Sequence, residues 1–289
     1  MADTVDKVKN DTEKAKAIQA VIDGIRKDFG TGSIMKLGDT YRMYYRAQNI
    51  ILKPDGTYVR NNKGGFCVAE SKDLKEFKRL PINKYERNGE YNNNIFLDET
   101  RDNFAVFYDK NPACPENEKF KALSMGSRKD VYGEGLYLYV SADGLDFTLK
   151  EKLPIPGTFD SFNVMFWDED AQLYRFFYRS EAGFEEMQKW RGIFRTINTS
   201  TSKDLVTFEH HGELNYGEDN IPMQLYTNNI VRYSRARDMF IGFPARYIDR
   251  KDHAENFFRN LCHQWCHKFI VLVGFIKLLH SVKPTTVKS

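Results

Sequence analysis

The sequence predicts an all-β protein that forms an incomplete β-propeller of about four blades, and two observations support this prediction. From about residue 33 to residue 250, Tyr, Phe, Val and Ile alternate with polar residues, and turn dipeptides separate the runs, as is typical of short strands. A Ser-x-Asp turn also recurs, at Ser71, Ser141 and Ser202, which are 70 and 61 residues apart. A period of that length with about four strands is typical of a propeller blade.

Each repeat has two halves. The first is a strand, a polar turn and a strand that ends in an aromatic residue and a charge. Its copies are residues 33–46, 93–109, 163–179 and 229–246. The second half is a strand, the Ser-x-Asp turn and a short strand, in residues 67–80, 138–153 and 198–214. These copies predict three full blades and the first half of a fourth, an arc whose open edges could pair with another chain.

The Ser-x-Asp turn has a physical basis in its side chains. An Asp carboxylate accepts hydrogen bonds from backbone N–H groups two residues further on, and a glycine such as Gly144 tolerates a positive φ. The aromatic residue that follows each turn is expected to pack between blades. These residues are Phe77, Phe147 and Phe208.

Residues 1–32 form a different kind of segment, an N-terminal helical extension. Within it, residues 4–29 are predicted to form one amphipathic helix with a single apolar stripe, which ends at Gly30. The stripe consists of Ile18, Val21, Ile22, Ile25 and Phe29. Such a stripe must be buried either on its own domain, as in an ordinary docking helix, or on a partner. The docking helix is the favoured interpretation, and burial on a partner would be a second route to self-association.

Residues 251–289 break the repeat and are predicted to form a helical C-terminal tail. Its longest apolar run, Phe269 to Ile276, is far shorter than the ~20 residues that span a membrane as a helix. Cys262 and Cys266 are separated by three residues, whereas the covalent haem signature has two. We therefore expect no metal site, no cofactor and no membrane span.

Composition excludes several classes of protein. The 289 residues include 43 Lys+Arg and 40 Asp+Glu, a net charge of +3, so no basic surface for nucleic acid is predicted. With 41% hydrophobic and 14% aromatic residues, the chain is not intrinsically disordered. Four cysteines are too few for a disulfide scaffold. The N-terminus has no apolar core typical of a secretion signal, so we expect a cytoplasmic protein.

Polar residues precede the inner strands of three predicted blades, where they should converge on the central channel. Buried amides require hydrogen-bond partners, so this convergence predicts a polar pocket. The alternative is that the amides only cap strand ends. The candidate ligand-binding amides are Asn93, Asn94, Asn163 and Asn228.

Asp160 is the candidate catalytic carboxylate, because it stands alone at an aromatic-flanked strand start. Its alternative role is a structural acceptor for neighbouring N–H groups. Acid/base catalysis by carboxylates normally uses two such groups with different pKa values, and Glu70, Glu181 and Asp109 are the candidates for the second. No choice among them follows from the sequence.

Three arginines end equivalent predicted strands, at Arg46, Arg179 and Arg246. Guanidinium groups bind carboxylate or sulfate through paired hydrogen bonds, so these residues are candidates to bind an acidic sugar. Salt bridges between blades are the alternative.

The repeats resemble the five-bladed β-propellers of glycoside hydrolase families 32, 43 and 117. The resemblance covers about residues 33–250. It is carried by the Ser-Lys-Asp-Leu-x-x-Phe turns and by three further motifs. These are Gly-Thr-Phe-Asp-Ser-Phe-Asn (157–163), Tyr-Thr-Asn-Asn (226–229) and Gly-Phe-Pro-Ala-Arg-Tyr (242–247). It implies hydrolysis of a glycosidic bond by two carboxylates.

Two departures from that family's pattern put activity in doubt. Family 32 relatives carry an Arg-Asp-Pro motif whose Asp stabilises the transition state, and Lys110-Asn111-Pro112 has an amide at the corresponding place. The family's nucleophile or base lies at the start of the first blade, where Ser33, Met35 and Lys36 offer no acid.

A second resemblance covers the N-terminal segment alone. Residues 17–39, and Lys27–Asp39 in particular, resemble the N-terminus of bacterial RecA recombinases. In that family the helix packs on the neighbouring protomer of a filament. The phosphate-binding pattern G-x-x-x-x-G-K-[ST] is missing from this sequence, so neither ATP hydrolysis nor specific DNA binding is expected.

These observations leave three functional hypotheses. The first is a glycoside hydrolase-like enzyme that acts on an oligosaccharide. The second is a propeller that binds a carbohydrate or another partner without catalysis, because the first-blade carboxylate is lost. The third is a fragment related to recombinases in DNA repair that acts through the N-terminal segment.

Overall fold

The protein is built almost entirely of β-strands, as the sequence predicts. The computed structural model describes residues 34–98, 103–126, 132–181, 195–214, 225–232, 239–242, 244–246, 270–271 and 274–277. Within these ranges it contains one short 3-10 helix, Glu116–Glu118. The predicted N-terminal helix and its apolar stripe lie outside the described residues.

The first sheet is an antiparallel meander in the order β1-β2-β3-β4, with β5 on the far edge of β3. Its strands are β1 (Ile34–Leu37), β2 (Thr40–Leu52), β3 (Tyr58–Ser71), β4 (Lys78–Arg79) and β5 (Ile95–Leu97). The β2–β3 hairpin is much longer than β1, so it extends beyond the rest of the sheet.

The second and third sheets are four-stranded antiparallel meanders of the same design. The second contains β6 (Phe104–Tyr108), β7 (Phe120–Gly126), β8 (Gly135–Ser141) and β9 (Thr148–Leu153). The third contains β10 (Val164–Asp168), β11 (Leu173–Glu181), β12 (Arg195–Ser202) and β13 (Glu209–Glu213). In the first three sheets the Ser-x-Asp serine ends the third strand, which is the equivalence that the sequence repeat predicts.

The fourth sheet corrects the prediction for the C-terminal tail. Its strands are β14 (Val231–Arg232), β15 (Met239–Gly242) and β18 (Gly274–Lys277), and a separate pair joins β16 (Ala245–Arg246) to β17 (Ile270–Val271). The tail therefore supplies strands where we predicted a helix, and it adds a third strand to the incomplete blade. A short apolar run has no periodicity that separates helix from strand, and the free edge of β15 offers hydrogen-bond partners that favour a strand.

Consecutive sheets pack face to face through three apolar cores. The first core joins sheets one and two through residues that include Met35, Tyr44, Phe66, Phe104 and Tyr137. The second joins sheets two and three through Leu138, Leu153, Met165, Phe176 and others. The third joins sheets three and four through Phe166, Phe177, Ile197, Ile230 and Phe240. Successive four-stranded meanders stacked in this way, with β6 lying against β10, form the propeller arc.

One boundary between blades differs from the prediction. We expected residues 93–109 to form the first hairpin of the second blade, but β5 pairs with β3 of the first sheet, and the second sheet begins at β6. Beyond β4, the edge of β3 still has unpaired backbone groups, and β5 satisfies them. A hydrophobic pattern alone does not say which sheet such a short strand joins.

The three Ser-x-Asp turns confirm the predicted hydrogen bonding. Asp73 Oδ1 accepts from the backbone N–H groups of Lys75 and Glu76 at 2.8 and 3.0 Å. Asp143 and Asp204 make the same pair of bonds. Phe147 and Phe208 pack on the cores between sheets, as predicted.

We predict that these turns make the protein sensitive to acid. The N–H groups of Glu76 and Lys75 lower the pKa of Asp73 from 3.8 to about 2, and those of Thr207 and Val206 lower the pKa of Asp204. A depressed carboxyl pKa stabilises the fold above the unfolded value, and this stabilisation is lost as the pH falls through the folded value. Urea unfolding should therefore show stability falling from about pH 4 to about pH 2.

The matched variant for this prediction is Asp73→Asn with Asp204→Asn. Its amide oxygens still accept hydrogen bonds but do not titrate, so it should lose less stability over the same pH interval. An equal loss of stability in the variant and the unmodified protein would contradict the prediction.

Gly144 shows why one of the three turns uses glycine. Its φ is +75°, and an added Cβ would lie 2.4 Å from the Tyr44 hydroxyl and 2.7 Å from the Phe120 ring. Leu74 and Leu205 occupy the equivalent positions in the other turns with φ of 63° and 65°. Glycine is therefore required at position 144 because of the close contact with Tyr44 of the first sheet. The positive φ alone does not require glycine, since leucine adopts it in the other two turns.

We predict that Gly144→Ala destabilises the fold by about 2–3 kcal/mol, because the methyl group displaces Tyr44 from its hydrogen bond to the Gly144 carbonyl. Leu74→Gly is the control for backbone conformation and should change stability by less than about 1 kcal/mol. Urea unfolding followed by circular dichroism measures both changes. Similar losses in the two variants would show that the contact with Tyr44 is not the cause.

Candidate functional site

The candidate site is built around the loop that leads into β10. In each sheet the first and third strands start at the same end, which we call the mouth end. In the first three sheets the Ser-x-Asp turns lie at the opposite end, which we call the turn end. The loop 157–163 lies at the mouth end, where Thr158 and Phe159 donate backbone hydrogen bonds to the Arg179 carbonyl. A Cβ at Gly157 would lie 3.0 Å from that carbonyl oxygen, so the chain approaches closely here.

Asp160 is the exposed tip of this loop. Phe159 before it has φ of 56°, and the Asn163 amide donates to the carbonyls of Phe159 and Ser161, at 2.9 and 3.0 Å. The two bonds clamp the backbone on both sides of Asp160. The backbone of Asp160 is therefore held in place, and its side chain is exposed to solvent.

Asn163 and Asn228 are buried, and their amide hydrogens are used on backbone carbonyls. Asn163 Oδ1 also accepts from the Arg179 N–H at 3.0 Å. Asn228 donates to the carbonyls of Phe162 and Phe177, at 3.1 Å each. These bonds hold the loop and the next crossover against β11. We predicted that both amides contact the ligand, whereas this geometry assigns them to positioning the residues around Asp160.

Arg179 lies beneath the loop and is almost completely buried, at 3% exposure. Its Nη1 donates to the Tyr226 carbonyl at 3.0 Å, and its guanidinium lies 5.1 Å from the centre of the Tyr226 ring. Burial, followed by the nearby charge of Arg195, lowers the pKa of Arg179 to about 10. Even so, the side chain carries its positive charge at neutral pH.

Two carboxylates contribute to the electrostatic environment of Arg179. Asp160 and Glu181 both act on it to favour its charged form, and both are exposed. Glu181 is the last residue of β11 and lies opposite Arg195 in the register of β11 and β12. Arg179 is therefore influenced both by Asp160 and by one of the three carboxylates that the sequence left as alternatives.

The other two carboxylates are engaged elsewhere. Asp109 is fully buried and pairs with Lys121 at 2.8 Å, and it also accepts from Tyr174 at 2.7 Å. Glu70 pairs with Arg42 at 2.9 Å. Asn111, at the position that we compared with the Arg-Asp-Pro motif, donates to Tyr174 at 3.0 Å and lies with Asp109 at the turn end. These groups are thus separated from Asp160 by the length of a blade.

The structure places two predicted amides away from the mouth. Asn94 donates to the Val68 carbonyl and the Tyr45 hydroxyl, at 2.7 Å each, and Asn93 donates to the Tyr85 carbonyl. Both precede β5, on the edge of β3 that faces away from β1. They therefore lie at the outer edge of the first blade, not at an inner strand as we predicted. The cause is the misassigned strand β5.

The remaining predicted arginines do not join this loop. Arg46 is an exposed residue of β2 in the first sheet, opposite Phe66. Arg246 lies in β16, where its backbone pairs with Ile270. Arg195, in contrast, belongs to the site and was missed. The connection from β11 to β12 is long, so the sequence alone does not indicate which residue begins β12.

The described residues show no sign of metal binding or of a membrane-spanning helix. No group of three or more His, Cys, Asp and Glu side chains within the described ranges could hold a metal ion. No helix in the same part of the chain is long and apolar enough to cross a membrane. Cys67 and Cys114 are buried free thiols.

Comparison with known proteins finds similar structures but no similar sequences. No protein-family model matches the chain, and no curated protein matches it. One similar solved structure is described as a glycoside hydrolase, with 11% identity, a TM-score of 0.46, and coverage of 76% of this chain and 66% of that one. The chain therefore spans just under two thirds of that protein.

Two further similar structures have named activities. The GH32 β-fructofuranosidase of Bombyx mori has 14% identity and a TM-score of 0.44, with coverage of 73% of this chain and 42% of that one. The endo-arabinase of Bacteroides thetaiotaomicron has 14% identity and a TM-score of 0.42, with coverage of 77% and 72%. These activities belong to those proteins.

We predict that Asn163→Ala destabilises the fold by about 2–4 kcal/mol, because it removes three hydrogen bonds and leaves buried backbone groups without partners. The exposed Asn92 provides the control, and Asn92→Ala should change stability by less than about 0.5 kcal/mol. Thermal and urea unfolding measure both. A neutral Asn163→Ala would mean that the amide does not hold the Asp160 loop.

Proposed function

We propose that this protein is a carbohydrate-active propeller of the glycoside hydrolase type, with its ligand site at the mouth end of the third sheet. The observation that carries the proposal is the pair of exposed carboxylates, Asp160 and Glu181, which both act electrostatically on the buried Arg179. Tyr226, half-buried and in contact with Arg179, is an aromatic residue of the kind on which sugar rings stack.

The two carboxylates have the chemistry that glycoside hydrolysis needs. One carboxyl group protonates the leaving oxygen, and the other either attacks the anomeric carbon or activates water. Both also stabilise the positive charge that develops on the sugar ring. We assign Asp160 and Glu181 to this pair because the remaining two candidates, Glu70 and Asp109, are held in ion pairs.

A second candidate function is carbohydrate binding without catalysis. It is favoured by the first strand, β1, whose residues Ile34–Leu37 include no carboxylate. In the families that the sequence resembles, the nucleophile or base lies at the start of that blade. A mouth that keeps Asp160, Arg179 and Tyr226 could still recognise a sugar. We further propose a cytoplasmic location, since free thiols at Cys67 and Cys114 fit a reducing compartment.

We predict that Asp160→Asn and Glu181→Gln each reduce hydrolysis by about 10²–10⁴-fold, because each removes ionisation while conserving size. Sucrose and linear arabinan are the first substrates to test, since proteins of similar structure are named for such sugars. Both residues are exposed, so the melting temperature should not change. Asp146→Asn, at the turn end, is the control and should keep full activity.

Binding measurements separate the two candidate functions. Binding of a sugar with no turnover, weakened by Asp160→Asn, would select the non-catalytic propeller. Turnover that survives both substitutions would contradict the assigned carboxylates. Failure of a broad panel of neutral and acidic oligosaccharides to bind would contradict the proposal itself.

A further inference from the structure

The proposed function does not explain why the charged side chain of Arg179 is buried without an ion-pair partner among the described residues. This cation is 3% exposed, its Nε has no hydrogen-bond partner, and it forms no ion pair within the described part of the chain. Of its donors, Nη1 is bonded, to the Tyr226 carbonyl. A buried charge is costly unless it is paired, and a buried polar atom without a partner calls for an explanation, such as an ion.

A second arginine lies on the same face of the sheet. Arg179 pairs in register with Ile197, and Arg195 is two residues earlier on β12. Side chains diagonal to each other across neighbouring strands share a face and lie within reach of long side chains. Two guanidinium groups are therefore held together at the mouth end, although like charges repel each other.

The nearby carboxylates do not neutralise the charge of Arg179 through an ion pair. Asp160 and Glu181 act on Arg179 through space, but neither lies within the 4.0 Å of an ion pair with it. Both are exposed, whereas Arg179 is buried. The positive charge of Arg179 is thus the more deeply placed, and the two negative charges lie nearer the solvent.

We propose that Arg179 and Arg195 form an anion subsite that binds the carboxylate or sulfate group of an acidic sugar. This inference rests on the proposed function and specifies its substrate class. A guanidinium pairs with such groups through parallel, charge-assisted hydrogen bonds. The exposed carboxylates disfavour an anionic group at the outer side, so the charged substituent of the sugar is directed inward and the glycosidic bond is left near Asp160 and Glu181.

Isothermal titration calorimetry of the full chain at constant ionic strength tests the subsite. The probes are sodium D-galacturonate, sodium sulfate and, as the neutral control, D-galactose. We expect galacturonate to bind at least about tenfold more tightly than galactose, as one charge-assisted hydrogen bond implies. Sulfate that binds and competes with galacturonate extends the subsite to sulfated sugars, whereas galacturonate binding alone restricts it to uronic acids.

Three variants locate the binding. Arg179→Met and Arg195→Gln should each lower the affinity for galacturonate by about tenfold or more. Arg179→Met should keep the fold or raise its melting temperature, because apolar replacement of a buried charge is often neutral or stabilising. Arg79→Gln, an exposed residue of β4 in the first sheet, is the control and should bind as the unmodified protein does.

Two outcomes would overturn the subsite. One is equal affinity for galacturonate and galactose, and the other is unchanged galacturonate affinity in Arg179→Met. If neutral oligosaccharides are still bound or hydrolysed in either case, the proposed function stands and only its substrate class is wrong. If galacturonate, sulfate and every neutral sugar fail to bind, both proposals fail.

Discussion

Each four-stranded meander in this protein has two faces, and the hydrophobic effect favours covering both of them. Sheets two and three satisfy this constraint by packing one face on the preceding sheet and the other on the following sheet. Stacking of this kind brings β6 against β10, so the first strands of successive sheets become neighbours. The loop that leads into β10 lies at one end of the arc, the mouth end, where the candidate site lies.

The site depends on that stacking because its loops cross from one sheet to the next. The loop 157–163 connects β9 to β10, and its backbone is bonded to Arg179 on β11. The crossover to the fourth sheet is bonded to the same region through Asn228 and Tyr226. Buried amides hold the geometry, and the carboxylates assigned by the proposed function are exposed. In that proposal, stability and chemistry rest on different residues of the same short segments.

Charged residues divide in the same way between the two ends of the arc. At the turn end, Asp109 pairs with Lys121, and Asp168 pairs with Arg175. In both pairs the acidic residue ends or directly follows the first strand of its sheet, and the basic residue lies on the second strand. Each acid is thus paired within its own hairpin, and Asp168 also lies 3.6 Å from Arg232 of the fourth sheet. At the mouth end, Arg179 has no such partner among the residues that the structure describes, and Asp160 is open to solvent. This difference separates structural charges from those available to a ligand.

Much of the fold could be predicted from local pattern, because the physical causes are local. Alternating apolar residues specify strands, and the carboxylates of Asp73, Asp143 and Asp204 specify turns with the backbone a few residues away. Asp160 and Asn163 could be singled out for the same reason, since they precede a recognisable strand. Asn93 and Asn94 could not be placed correctly, because the sheet joined by the three-residue strand β5 depends on a distant free edge.

The sequence by itself therefore determined the β-class, the repeat, the Ser-x-Asp turns and the position of the segment around Asp160 directly before a strand. Only the tertiary structure decided that the tail pairs with β15 as a strand, that Asp109 is neutralised by Lys121, and that Glu181 and Arg195 join Asp160 and Arg179. Strand periodicity and turn chemistry act between residues close in the chain. Edge pairing, burial of charge and the meeting of side chains across strands depend on residues that only folding brings together.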